Sequence, residues 1–158
     1  MTQVQFTLNG RTTTVDVGQD ELLLDTMREE ARLTSVRYSC GIGVCGTCTV
    51  MLDGKAVSSC LQLTQMVRGH HVQTAESVLA EEDSPHRRVL DAFVAARAFQ
   101  CSYCIPAMAL TVAALLDADP DPTPETIREQ LGGNLCRCGS YPQIAEAVTA
   151  LLTTREQQ

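Results

Sequence analysis

The chain of 158 residues contains no tryptophan, and aromatic residues make up only 4% of it. Proteins that bind single-stranded nucleic acid stack the bases on aromatic side chains, so such platforms are scarce here. A surplus of basic charge is also missing, since 12 lysines and arginines stand against 19 acidic residues and the net charge is −7. Phosphate backbones require a basic surface, so the composition argues against a nucleic-acid partner.

Long apolar runs are missing as well. No stretch approaches the ~20 consecutive apolar residues of a membrane-spanning helix, so we expect no direct insertion into a membrane. The N-terminus lacks the basic and then apolar segments of a secretory signal peptide. We therefore expect a cytoplasmic protein, with export alongside a signal-bearing partner left open. Cytoplasmic thiols stay reduced, which makes metal ligation a better explanation for cysteines than disulfides.

The chain does contain eight cysteines, which divide into two complete sets of four. The first cysteine set has the spacing C-x4-C-x2-C followed by a more distant cysteine. It consists of Cys40, Cys45, Cys48 and Cys60. This spacing is typical of a plant-type [2Fe–2S] cluster, in which one tight loop supplies three thiolates. Gly41, Gly43 and Gly46 would allow the loop to curl with its N–H groups facing the cluster.

Two other interpretations of this loop are open. Gly41, Gly43 and Gly46 formally match a dinucleotide-binding fingerprint, but no buried strand precedes them and no helical pattern follows. Structural zinc is the stronger alternative, although four-cysteine zinc sites usually use two C-x2-C knuckles. The spacing favours iron–sulfur over zinc, and zinc over a dinucleotide.

The second cysteine set combines a C-x2-C motif with a C-x-C motif. It consists of Cys101, Cys104, Cys136 and Cys138. The C-x-C pair can reach one cluster only from a bend, which Gly133 and Gly139 permit. Alone this set fits zinc or iron–sulfur, and beside the first set it predicts a second [2Fe–2S] cluster. Neither set has a histidine for a Rieske centre, and no cysteine has a catalytic base beside it in sequence. We therefore expect no catalytic residue on this chain.

Hydrophobic periodicity changes near residue 75. Before that point apolar and polar residues alternate, and Asn9-Gly10 and Asp53-Gly54 are strong signals for type I′ hairpins. The pattern predicts four strands, a short strand near Val72, and a helix from Glu21 to Ala31 capped by Asp20. Together these elements indicate a small mixed sheet packed on one helix.

After residue 75 the period becomes helical. Glu81-Glu82-Asp83 forms a charged hinge, and Ser84-Pro85 predicts the start of a helix with Val94 on its apolar side. Three more helical segments follow. We expect an α+β chain with a sheet-based domain over residues 1–75 and an all-α four-helix domain over residues 76–158.

Four ordered motifs carry a family resemblance that covers nearly the whole chain. They are Cys40-Gly41-Ile42-Gly43-Val44-Cys45-Gly46-Thr47-Cys48-Thr49-Val50, Ser59-Cys60-Leu61, Phe99-Gln100-Cys101-Ser102-Tyr103-Cys104 and Gly133-Asn134-Leu135-Cys136-Arg137-Cys138. Together they resemble the small iron–sulfur subunit of molybdenum hydroxylases, the xanthine oxidase and aldehyde oxidoreductase family. The stretch after Cys138 is similar to the isoquinoline 1-oxidoreductase and nicotinate dehydrogenase branch. The resemblance implies an N-terminal β-grasp ferredoxin-like domain followed by a four-helix domain.

The resemblance also implies a role as the electron-transfer subunit of an oxidoreductase. Single electrons would leave a molybdopterin centre, of the cytosine dinucleotide form, on a large catalytic subunit. They would pass through the second cysteine set's cluster and then the first set's, to a flavin subunit or a c-type cytochrome. Gln100 and Cys138 match family residues that contact the pterin. The substrate of the holoenzyme is not specified by this chain.

A few positions depart from the family pattern, and all exchange one small residue for another. They are Ser39, Thr47, Ser102 and Ala107. Such changes affect fine tuning and leave ligation intact. The alternative functions are a free-standing two-cluster electron carrier of the ferredoxin type and a zinc-stabilised interaction module.

Overall fold

The N-terminal half forms a mixed five-stranded sheet in the computed structural model, which describes residues 1–82 and 84–155. The strands are β1 (Thr2–Leu8), β2 (Arg11–Val17), β3 (Thr49–Leu52), β4 (Lys55–Ser58) and β5 (His71–Gln73). Their order is β2-β1-β5-β3-β4, with β1 and β5 parallel and the other neighbours antiparallel. Two 3₁₀ turns, Ser59–Leu61 and Thr64–Val67, connect β4 to β5.

Both hairpins close with the predicted turns. Asn9 and Gly10 have φ angles of 49° and 79°, and Asp53 and Gly54 have φ angles of 48° and 78°. Positive φ at both central positions is what a type I′ turn requires, and its twist matches that of the flanking strands. The two turn predictions are confirmed.

The first helix differs from its prediction. The sequence predicts one α-helix from Glu21 to Ala31 capped by Asp20. The structure has a single turn, α1 (Leu23–Asp25), which continues as a π-helix over Thr26–Glu30. Leu22 occupies the capping position, and no side chain caps the turn. Both the start of the helix and the role of Asp20 were therefore wrong.

Contacts with other parts of the chain explain this difference. The Glu21 carboxylate accepts hydrogen bonds from the Gly18 amide at 3.1 Å and the Thr26 hydroxyl at 2.8 Å. Leu22 forms an antiparallel bridge with Leu63, which keeps its backbone extended. Tertiary pairing therefore overrides the local helical signal in this segment.

The second half is helical. Its helices are α2 (Ala75–Val78), α3 (Pro85–Ala95), α4 (Ile105–Ala118), α5 (Pro124–Leu131) and α6 (Tyr141–Arg155). Ser84 caps α3 as predicted, since its hydroxyl accepts from the Arg87 amide at 3.0 Å. The apolar side of α3 was partly wrong, because Val89 and Phe93 are buried while Val94 is 56% exposed. Val94 lies about 100° around the helix from Phe93, outside the buried stripe.

Buried apolar side chains form two clusters, one under the sheet and one among the helices. Met51 on β3 belongs to the helical cluster, so the sheet and α4 pack directly against each other. Asp83 of the predicted hinge lies outside the described residues. Within the part of the chain that the structure describes, no helix has the length and apolar character needed to cross a bilayer.

Glu76 on α2 is hydrogen-bonded to the segment that leads into the first cysteine set. Its carboxylate accepts hydrogen bonds from the Ser35 amide at 2.8 Å, from the Ser35 hydroxyl, and from the Thr74 hydroxyl at 2.6 Å. Burial raises the pKa of Glu76, but these hydrogen bonds outweigh it and hold the pKa below its ordinary value of 4.5. We expect Glu76→Gln to lower the free energy of unfolding by about 1 kcal/mol at pH 7, because these hydrogen bonds weaken. The loss is small because the carboxylate is partly exposed and water screens its charge.

Thermal unfolding followed by circular dichroism between pH 7 and pH 4 tests this prediction. A carboxylate with a depressed pKa stabilises the fold above its unfolded pKa, and this stabilisation is lost as the pH falls through its folded pKa. The wild-type and Glu76→Gln curves should therefore converge toward low pH. Glu125→Gln is the control, since the ion pair between Glu125 and Arg128 is exposed to solvent. A loss that stays constant with pH would contradict the prediction.

Candidate metal centres

The first cysteine loop, residues 38–48, curls because three glycines adopt left-handed backbone angles. Gly41, Gly43 and Gly46 have φ angles of 70°, 77° and 65°. Space is also tight, since a Cβ on Gly43 would lie 2.3 Å from Cδ1 of Leu61. The loop thereby comes against the 3₁₀ turn that carries Cys60.

Backbone amides of this loop point at cysteine sulfurs, as the sequence predicted. The amides of Ile42 and Cys45 donate to Cys40 Sγ at 3.5 Å and 3.4 Å. The Gly43 amide lies near the Cys60 sulfur and acts to lower the pKa of that thiol. Such donors stabilise the negative charge of a metal–thiolate group.

In the first set Cys40 lies beside Cys45 and Cys48 beside Cys60, and Cys60 is also close to Cys40. Burial raises the pKa of the Cys60 thiol to about 11, and the neighbouring Cys48 adds to this rise. Burial also raises the pKa of Cys45, but hydrogen bonds with Thr47 and Cys40 outweigh it and bring the pKa to about 6. Cys45 is therefore ready as a thiolate at neutral pH, whereas Cys60 needs a metal to displace its proton.

The second cysteine set comes from the loops before α4 and before α6, and Cys101 lies close to both Cys104 and Cys136. Cys101 contacts Cys138, and Cys104 contacts Cys136. Burial raises the pKa of the Cys104 thiol to about 12, with a further contribution from Cys136. A hydrogen bond from the Tyr103 amide lowers the pKa of Cys101.

The C-x-C motif lies on a turn, as predicted. The Gly139 amide donates to the Cys136 carbonyl at 3.2 Å, and Gly139 has a φ angle of 83°. The Tyr141 hydroxyl accepts from the Cys136 amide at 2.8 Å and donates to the Asn134 carbonyl at 3.1 Å. Sequence reasoning missed Tyr141, and its position directly after the last motif was the available signal.

The donor set fits two-iron clusters. All eight cysteines are free thiols. Within residues 1–82 and 84–155, no group of three or more His, Cys, Asp or Glu side chains is placed to hold a single metal ion. Four neighbouring thiols in each set are the number that a [2Fe–2S] cluster needs, two thiolates for each iron.

The two cysteine loops touch each other. The Leu135 amide donates to the Cys45 carbonyl at 2.8 Å. The Asn134 side chain donates to the Gly46 carbonyl at 2.9 Å and accepts from the Thr111 hydroxyl at 2.8 Å. A residue next to Cys136 is thus hydrogen-bonded to Cys45 of the other set. Asn134 belongs to the motif that contains Cys136 and Cys138. Its partners could not be identified from the sequence because they are distant along the chain.

Arg37 and Tyr103 make a second link between the loops, which the sequence did not indicate. The Arg37 guanidinium donates to the Ser102 carbonyl at 3.1 Å and lies 4.9 Å from the centroid of the Tyr103 ring. The Tyr103 hydroxyl donates to the Tyr38 carbonyl at 2.6 Å. The segment before Cys40 is therefore fixed to the C-x2-C loop.

Gln100 and Cys138, the predicted pterin contacts, lie together. The Gln100 side-chain amide donates to the Cys138 carbonyl at 3.0 Å, and the Gln100 side chain is exposed. This hydrogen bond uses the side-chain nitrogen of Gln100, so the side-chain carbonyl oxygen can accept a hydrogen bond from a docked molecule.

Thr47 gives a test of how the first loop tunes its metal centre. The Thr47 hydroxyl lies 3.2 Å from Cys45 Sγ, and hydrogen bonds to ligand sulfurs raise cluster potentials. We expect Thr47→Ala to lower the potential of the first cluster by about 20–60 mV while both clusters remain. Redox titration followed by electron paramagnetic resonance (EPR) measures this. Thr47→Ser keeps the hydroxyl and is the control; an unchanged potential in Thr47→Ala would contradict the prediction.

Comparison with known proteins identifies iron–sulfur domains over most of the chain. Residues 6–80 match the family model of the 2Fe-2S iron-sulfur cluster binding domain, and residues 74–149 match that of the [2Fe-2S] binding domain. The chain is 40% identical over 146 residues to the nicotine 6-hydroxylase small subunit of Paenarthrobacter nicotinovorans, covering 92% of this chain and 87% of that protein. It is 41% identical over 145 residues to the nicotinate dehydrogenase small FeS subunit of Eubacterium barkeri, covering 92% and 91%.

A solved structure has the same fold. The quinoline 2-oxidoreductase from Pseudomonas putida 86 matches with a TM-score of 0.88 and 32% identity, covering 99% of this chain and 96% of that chain. The fold and the site together define an iron–sulfur protein, and its two matching domains indicate two [2Fe–2S] clusters. The chain belongs to the family of iron–sulfur subunits of molybdenum hydroxylases. The predicted family resemblance and α+β fold class are confirmed. The predicted electron-transfer role, in an oxidoreductase whose active site lies on another chain, is confirmed as well.

Proposed function

We propose that this chain carries single electrons from a molybdopterin centre on its large catalytic subunit outward to a separate acceptor. The observation that carries the proposal is the direct hydrogen bond between the two cysteine loops, from the Leu135 amide to the Cys45 carbonyl at 2.8 Å. It joins a residue adjacent to Cys136 in one set to Cys45 in the other, which gives a short bonded route between the two sites.

The proposed ligands are the eight cysteines, one cluster for each set. A [2Fe–2S] cluster, when bound, accepts and releases one electron at a time. The contacts between thiols support one iron on Cys40 and Cys45 and another on Cys48 and Cys60. In the second set they support one iron on Cys101 and Cys138 and another on Cys104 and Cys136.

The proposed entry point for electrons is the face around Gln100 and Cys138. The exposed Gln100 side chain supports a hydrogen bond to the pterin of the large subunit, proposed here as the cytosine dinucleotide form. Phe99 and Tyr103 on the same loop are 38% and 43% exposed, which suits burial against a partner chain. We extend the names of the relatives to this chain and propose that the holoenzyme hydroxylates an N-heterocycle.

The proposed exit is the face of the first cysteine loop. Ile42 and Val44 are 69% and 58% exposed there, which supports docking of an acceptor, either a flavin subunit or a c-type cytochrome. We divide the chain into a ferredoxin-like domain over residues 1–75 and a helical domain over residues 76–158. A cytoplasmic location is proposed because cluster ligation needs reduced thiols.

Co-expression with the large subunit, followed by purification of the complex, tests the proposal. We expect about four irons per copy of this chain and two paramagnetic signals after reduction by dithionite. Gln100→Ala should then reduce turnover of an N-heterocycle such as nicotinate and leave both signals unchanged. Zinc in place of iron, or a single signal, would contradict two-cluster transfer. A chain that holds both clusters and never binds a large subunit would be a free-standing carrier instead.

A further inference from the structure

Arg37 is a half-buried cation whose direct partners are neutral. Its guanidinium donates to the Ser102 carbonyl at 3.1 Å and lies over the Tyr103 ring at 4.9 Å from the centroid. None of the ion pairs found among residues 1–82 and 84–155 includes it. A partly desolvated charge is costly unless an opposite charge lies nearby.

The backbone fixes Arg37 from the side of the first cysteine loop. The Arg37 amide donates to the Thr47 carbonyl at 3.3 Å, and the Thr47 hydroxyl, which also lies beside Cys45 Sγ, is 3.3 Å from the Arg37 carbonyl oxygen. Its side chain crosses to the other loop, where Ser102 lies between two cysteines of the second set. Arg37 therefore contacts the first cysteine loop through its backbone and the second cysteine set's loop through its charged side chain.

The second site can supply the missing negative charge. Two ferric ions, two sulfides and four thiolates sum to a charge of −2, and one added electron makes it −3. Arg37 is hydrogen-bonded to Ser102 inside the Cys101-to-Cys104 loop and lies over the ring of Tyr103 in the same loop. Arg137 is a second cation next to this set, but its side chain is exposed and water screens it more strongly.

We propose that Arg37 is the counter-charge of the second cluster site and that it sets the reduction potential of this site relative to the first. The inference rests on the proposed placement of the two clusters. A fixed positive charge favours the −3 over the −2 state, so it favours acceptance of one electron from the large subunit's molybdenum centre. That electron then passes to the first site, and no bond is broken and no proton is moved. Arg37 acts through its charge and touches none of the reacting atoms, so it is not a catalytic residue.

Coulomb's law gives the expected size of the effect. A unit charge within about 10 Å, in a medium of effective dielectric about 20, changes an equilibrium constant by roughly tenfold. For a one-electron couple a tenfold change corresponds to about 59 mV. We therefore expect removal of the charge to lower the potential of the second cluster by about this amount and to change that of the first cluster less.

The experiment is an EPR-monitored redox titration of the purified complex with four variants. Arg37→Met removes the charge and both contacts, and Arg37→Gln removes the charge but keeps an amide donor. Arg37→Lys keeps the charge without the planar donor group. Arg68→Met is the matched control, because Arg68 carries the same charge on an exposed site and donates to the Gln3 carbonyl. We expect the equilibrium constant for reduction of the second cluster to fall about tenfold in Arg37→Met and Arg37→Gln. It should fall less in Arg37→Lys and stay unchanged in the Arg68→Met control.

The outcomes separate this inference from the proposed function. If the wild-type complex lacks two signals, the proposed function fails and this inference fails with it. If both signals are present and the Met and Gln variants match the Arg68→Met control, only the role of Arg37 is wrong. If the Met variant does not assemble the second cluster, the Gln variant decides. Loss of that cluster in all three Arg37 variants would show an assembly role and would overturn the electrostatic one.

Discussion

Replacement of Cys104 by alanine is expected to remove about two irons per chain and one of two paramagnetic signals, while the other signal stays unchanged. Cys104 is buried and its thiol pKa is raised to about 12, so a free thiol here has no stable charged state without metal. A four-thiolate cluster that loses one buried ligand has no other sulfur to take its place. Electron delivery through the second site should therefore stop.

The reciprocal variant is Cys60→Ala, which removes a buried proposed ligand of the first set. It should delete the other signal and leave intact the one that Cys104→Ala removes. Iron analysis and EPR of the dithionite-reduced complexes measure both effects. If either single substitution removed both signals, the two sets would not be independent sites, and the assignment of one cluster to each set would be wrong.

Replacement of Gly46 by alanine is expected to lower the free energy of unfolding by about 3 kcal/mol. A Cβ at this position would lie 2.2 Å from the Gly133 carbonyl oxygen and 2.7 Å from the Asn134 side-chain nitrogen. The backbone there has a φ angle of 65°, which a side chain tolerates poorly. One added methyl group would force apart the two loops that the Leu135-to-Cys45 hydrogen bond joins.

Gly54→Ala provides the matched control for this effect. Gly54 has a φ angle of 78°, yet a Cβ there would meet no atom within 4 Å. Its cost should be about 1 kcal/mol, from backbone conformation alone. The difference between the two variants, measured by urea unfolding of the cluster-loaded chain, isolates the contact between the loops. Equal losses in Gly46→Ala and Gly54→Ala would show that the close approach of the loops contributes nothing to stability.

Local chemistry explains which features could be predicted from the sequence. Asn9-Gly10 and Asp53-Gly54 specify their turns within two residues, and Ser84 supplies its own helix cap. The spacing of the cysteines predicted which of them would lie together, because a tight loop allows few arrangements. The five strands and the helices after residue 84 follow from periodicity in the same way.

The features that could not be predicted depend on residues far apart along the chain. The expected helix from Glu21 to Ala31 fails because Leu22 pairs with Leu63. Arg37 looks like an ordinary surface cation in the sequence, and only the fold brings it to Ser102. Asn134 likewise gains its partners Gly46 and Thr111 from the packing of α4 and the two loops. Pattern analysis therefore proposes the candidate ligands and misses the side chains that connect the two cysteine sets.

The order of the strands has a consequence for biosynthesis. β5 joins the two hairpins of the sheet, pairing with β1 on one side and β3 on the other. It is also the last of these strands to leave the ribosome, after all four cysteines of the first set have been made. The hairpins can form early, but they become one sheet only when residues 71–73 emerge. All four thiols of this set are therefore synthesised before the strand that closes the sheet beneath them.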